Sequence, residues 1–85
     1  MKTYTTVYNY GFGQKVETMV FEIDRYVCTE NIEYLLFYTD SDPTHRVRLR
    51  DLDANENVGI YFFRGAPEKA RAKFDEIVSN VKSYE

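Results

Sequence analysis

Arg46, Arg48 and Arg50 alternate with Val47 and Leu49. In an extended strand that period of two sets the guanidinium groups on one face and the aliphatic side chains on the other. Residues 33–39 and 58–63 flank this strand and alternate as well, separated from it by turn-forming runs: Asp40, Ser41, Asp42 and Pro43 on one side, Asp53, Ala54, Asn55, Glu56 and Asn57 on the other. Two hairpins follow. Pairing Phe37 with Val47 and Leu35 with Leu49 puts apolar residues together inside, with Tyr38 beside Arg46, Leu36 beside Arg48 and Tyr34 beside Arg50 outside. In the second hairpin, Leu49 opposite Ile60 and Val47 opposite Phe62 adds Tyr61 and Phe63 to the arginine face, and the apolar run 58–63 reads as a strand inside the sheet.

The period changes after Gly65. Across residues 67–84, Ala70, Phe74, Ile77, Val78, Val81 and Tyr84 recur at intervals of three and four, with Glu68, Lys69, Lys73, Asp75, Glu76 and Lys82 between them. This is an amphipathic helix. Pro67 suits its first turn, and Glu68 complements the positive end of its dipole. The first half of the chain is less decided. Residues 3–10 read as a strand ending at the turn Gly11, Phe12 and Gly13. From Gln14 to Cys28, Met19, Phe21 and Ile23 alternate as in a strand, yet Val16, Met19, Val20, Ile23 and Val27 also fit a helical stripe. The β-branched residues and the missing N-cap favour strand, continuing past a bend at Asp24 and Arg25 to Tyr26, Val27 and Cys28.

The fold class implied is α+β: an antiparallel β-sheet of four to five strands packed on one face by a C-terminal α-helix, in a single domain covering residues 1–85. The expected core is Val16, Phe21, Ile23, Leu35, Phe37, Val47, Leu49, Val58, Ile60, Phe62, Phe74, Ile77, Val78 and Val81.

At 85 residues the chain is near the lower size at which one core suffices, so a partner subunit would help it. It is 44% hydrophobic and 16% aromatic, enough to fold, and eight of its aromatics are tyrosine, a residue suited to strands and to contact surfaces. The net charge of −3 argues against non-specific polyanion binding. Acids such as Glu17, Glu22, Asp24, Glu30 and Glu33 crowd the first half, and Arg46, Arg48, Arg50, Arg64, Lys69, Arg71 and Lys73 the second, a segregation that fits either a dipolar surface or charge pairing between neighbouring strands. Cys28 is alone, which removes a disulfide framework and suits a reducing, cytoplasmic setting. The first ten residues lack the apolar core of a signal peptide, and no apolar run reaches the length of a membrane span.

Catalytic and cofactor patterns are incomplete. Asp51, Asp53 and Asn55 begin like a calcium loop, but Glu56 stands where glycine is needed and Phe62 where a bidentate Glu is needed. Gly11 and Gly13 lack the third glycine of a dinucleotide fingerprint, since Val16 takes its place. His45 and Cys28 have no assignable orienting carboxylate, and Glu17 and Glu22 read as solvent-facing strand residues. No enzyme, metal or cofactor is expected. The candidate surface is the arginine row with its aromatic neighbours: Arg46, Arg48 and Arg50 supply charge, and Tyr34, Tyr38 and Tyr61 supply contact area. Three readings compete with plain cation-π contacts and ion pairs within the sheet. A non-catalytic module that binds a protein partner, or a second copy of itself as a homodimer, is favoured; single-stranded nucleic-acid binding through the same face is disfavoured by net charge. In the third, the acidic half makes the chain a small inhibitor or decoy of the kind that phages and other mobile elements encode.

Overall fold

The computed structural model of the chain describes residues 1–9 and 11–85. Five strands follow one another as β1 (Lys2–Asn9), β2 (Lys15–Val27), β3 (Ile32–Thr39), β4 (His45–Asp51) and β5 (Glu56–Phe63), and the helix α1 (Pro67–Ser83) comes last. Each strand pairs antiparallel with the next, giving one sheet in the order β1-β2-β3-β4-β5. The expected α+β architecture is therefore present, with β2 extended throughout and α1 packed on β3, β4 and β5. Tyr10, assigned by pattern to the first strand, lies outside the described residues. β5 is an edge strand rather than the interior strand its apolar run implied.

The turn between β1 and β2 is a left-handed run in which Gly11, Phe12 and Gly13 have φ of 84°, 48° and 76°. Glycine accommodates that region at no steric cost, which is why two of these positions carry it. α1 begins with Pro67 and has no side-chain cap at Ala66. Its stripe buries Ala70 and Phe74 against Tyr34, Leu36 and Val47, and Ile77, Val78 and Val81 pack around them with Ile23, Tyr26, Ile32, Leu49 and Phe63. Beyond the helix the Glu85 carboxylate accepts bonds from the Tyr26 hydroxyl and the Thr29 amide. That contact draws Glu85 below the usual carboxylate range and pushes the Tyr26 phenol up to about 12. Tyr84, read as the last member of the stripe, instead follows the helix and is 92% exposed.

The faces of β4 are as expected, with Val47 and Leu49 toward α1. Its neighbours are inverted. Phe37 pairs with Arg46 and Leu36 with Val47, one residue away from the expected register, so Tyr34 and Leu36 face the helix while Leu35 and Phe37 lie on the opposite side. β3 is apolar on both faces, and eight residues, Tyr38 to His45, separate the last paired residues, Phe37 and Arg46, where an odd number would have been needed. In β5 the cause is a bulge. Asp51 pairs with Glu56 and Arg50 with Asn57, but Leu49 pairs with Gly59, leaving one residue extra on β5. That extra residue reverses the side of every position after it. Tyr61 and Phe63 thus fall on the helix side, opposite Val47 and His45, and Ile60 and Phe62 fall beside Arg48 and Arg46. A second bulge, between Glu22 and Asp24 in β2, turns both Ile23 and Asp24 toward α1, where Arg71 donates to the Asp24 carboxylate at 2.7 Å. Of the expected core, Val16, Val58, Ile60 and Phe62 are exposed.

Candidate functional site: the open face of the sheet

Opposite the helix, the sheet carries a second apolar cluster. Val20, Leu35 and Phe37 are 2%, 1% and 2% exposed although no element covers them. Their cover is made of side chains from the sheet itself. Tyr4 packs on one end of the cluster, and the guanidinium groups of Arg46 and Arg48 lie 5.6 and 5.4 Å from the centre of the Phe37 ring. Long arginine stems hide apolar surface while their heads keep polar partners, and a cation over an aromatic face adds electrostatic attraction. Arg46 also reaches Phe62, at 5.8 Å from the ring centre.

The charged heads are largely partnered within the chain. Glu33, buried at the edge of this cluster, accepts Arg25 Nε at 2.7 Å and an Arg48 terminal nitrogen at 3.3 Å. Arg46 pairs with Asp42 at 3.0 Å, and Arg50 donates to the side chains of Asn57 and Asn55. Burial, followed by the Glu22 carboxylate, pushes the Tyr4 phenol up. The Nε atoms of Arg46 and Arg48 are buried and have no hydrogen-bond partner among the described residues. Cation-π contacts and cross-strand ion pairs within the sheet therefore account for most of the arginine row.

The expected tyrosine companions are not on this face. Tyr34 lies under α1. Tyr38 stacks between Phe21 and His45, with ring centres 4.9 and 4.6 Å away, on the helix side. Tyr61 also faces the helix side, with Lys73 Nζ 5.1 Å from its ring centre. Contact area beside the arginines comes instead from Val58, Ile60 and Phe62, exposed by 55%, 44% and 62%. The sequence sign of the bulge that brings them there is Gly59, since glycine inside a strand often marks one. Glu33 carries a signal in the sequence, as the one acid in the run 32–37, and it lies across from Arg50 of the arginine strand.

The remaining candidates separate in space. Cys28 lies beyond the end of β2, by the start of β3, whereas His45 begins β4 at the other end of the sheet. Asp51 closes its turn by accepting the amides of Asp53 and Ala54. Among the described residues no group of three or more His, Cys, Asp or Glu is placed to hold a metal ion, and no helix is long and apolar enough to cross a membrane. A groove between β2 and α1, lined by Asp24, Tyr26, Phe74 and Lys82 among others, has its acids Asp24 and Asp75 bridged by Arg71. Compared with known proteins, the chain matches no family model, no curated protein and no solved structure.

Proposed function

We propose that this chain is a non-catalytic protein-binding module, working in the cytoplasm, that engages its partner through the open face of the sheet. One observation carries the reading: the strip Val58, Ile60 and Phe62 is exposed beside two arginines whose positions are fixed by Phe37, Glu33 and Asp42. Exposed aromatic and aliphatic groups next to held arginines are the composition of a protein contact, with little side-chain entropy left to lose on binding. The same facts weigh against single-stranded nucleic acid. Glu33 and Asp42 already oppose Arg25, Arg48 and Arg46, so few cations remain to displace counterions from a phosphate backbone.

A photo-crosslinking residue placed at Tyr4 tests this, with one at Ser79 on the outer face of α1 as the control. The expected outcome is a protein adduct from position 4, absent from position 79, and lost when Arg46→Gln is added. An adduct with nucleic acid, or equal labelling from both positions, would overturn the reading. Arg48→Glu is a poor probe of binding, because it would set a second carboxylate against buried Glu33 and damage the fold itself.

A further inference from the structure

Along β4 and β5 the open face is electropositive, although the chain as a whole carries a net charge of −3. Arg46, Arg48 and Arg50 line β4. Arg64 follows Phe63 and so continues the alternation of β5 onto the side of Ile60 and Phe62, whereas the one acid of β5, Glu56, lies across from Asp51 on the helix side. Two of these cations are neutralised within the chain: Asp42 pairs with Arg46, and Glu33 is shared between Arg48 and Arg25. Arg50 differs. Its terminal nitrogens donate to the side-chain amides of Asn57 and Asn55, which position the guanidinium and leave its charge uncompensated. Arg64 is exposed and, among the described residues, takes part in no ion pair.

The two uncompensated cations bracket the exposed apolar strip. Phe62 pairs with Arg46, Ile60 with Arg48 and Asn57 with Arg50, so Arg64, Phe62, Ile60 and Arg50 occupy four successive rows of the open face. Rows on one face of a strand lie about 7 Å apart, which sets Arg64 and Arg50 roughly 20 Å from each other with two apolar side chains between them. We propose that the partner of this face is a protein presenting an acidic extended segment, with carboxylates at its first and seventh positions and apolar side chains at its third and fifth. Such a segment has the same two-residue period, so its carboxylates reach Arg64 and Arg50 as its apolar pair packs on Phe62 and Ile60. Guanidinium groups take carboxylates in bidentate geometry, and a fixed one loses little entropy in doing so. A nucleic-acid strand fits worse. With a phosphate at every nucleotide, it would set charge over Ile60 and Phe62, beside arginines already paired with Asp42 and Glu33. This inference rests on the reading of the open face as a protein contact and adds the chemistry of the partner.

Titration of the isotope-labelled full chain, read from its amide NMR shifts, tests it. The probes are a capped heptapeptide with Glu at positions one and seven, Leu at three and five and Thr elsewhere, its counterparts with Gln or Lys in place of Glu, and oligothymidylate. The expected result is that the acidic peptide shifts the amides of Arg50 and of residues 58–64, and that the glutamine peptide, which loses both ion pairs, binds roughly tenfold more weakly. Arg50→Gln and Arg64→Gln should each weaken the acidic peptide by roughly two- to fivefold. The double reversal Arg50→Glu with Arg64→Glu should prefer the lysine peptide, with the amide shifts of β3 and α1 unchanged as the check on its fold. No shift at millimolar acidic peptide, equal affinity for the glutamine peptide, shifts centred on α1, or a tighter complex with oligothymidylate would overturn the proposal. The crosslink from position 4 is read separately: a protein adduct there beside any of these results keeps the contact surface and removes the acidic segment.

Discussion

Asp24 shows how far a single backbone irregularity can determine the chemistry of one residue. The bulge in β2 turns it toward α1, and there the Arg71 guanidinium, with the Arg25 amide adding, holds its carboxyl below the ordinary value of 3.8 against an opposing effect of burial. A carboxyl depressed in the folded state contributes stability that is fully present above its unfolded pKa and lost as pH falls through the folded value. Wild type should therefore melt at a higher temperature than Asp24→Asn near neutral pH, with the gap closing below about pH 4. Both partners are nearly half exposed, so the gap is small and shrinks in salt. Thermal melts of the two proteins across that range check this. A constant gap would mean that Asp24 acts through shape, not charge.

The elements show the limits of alternation more clearly than the residues do. β4 was legible because Arg and aliphatic side chains differ so much that only one face can be buried. β3 and β5 were not, since Tyr34, Leu36 and Tyr38 are as apolar as Leu35 and Phe37, and Tyr61 and Phe63 as apolar as Ile60 and Phe62. Where both faces of a strand are apolar, turn length and bulges choose between them, and neither leaves a reliable mark in composition. The α1 stripe was legible from Ala70 to Val81 because one face of it is charged. The face that the arginines occupy was thus legible, and their aromatic companions were assigned to the wrong side. Leu35 gives the element-scale prediction. It is as buried as Leu36, each 1% exposed, but it is covered by arginine stems and Tyr4 instead of a helix. Leu35→Ala and Leu36→Ala should each cost about 2–5 kcal/mol in denaturant unfolding. A cost below about 1 kcal/mol at Leu35 alone would show that the arginine cover yields to solvent.

At the scale of the whole molecule, the segregation of acids and bases along the chain becomes cross-strand and sheet-helix pairing: Glu33 with Arg25 and Arg48, Asp24 with Arg71. Within that pattern, Glu33 with Arg48 records the adjacency of β3 and β4. The meander has a further effect. Among the described residues β1 pairs with β2 alone and adds little more than Tyr4 to a core, and α1 lies over β3, β4 and β5, so cohesion declines from the middle of the chain toward its beginning. Amide hydrogen exchange would then divide the molecule into a slow body and a quick flap. Amides of β3 and β4 would wait for global opening, and those of β1 would exchange when that one strand peels from β2. If the amides of β1 proved as slow as those of β3, its outer edge would have to be clasped by something other than this chain.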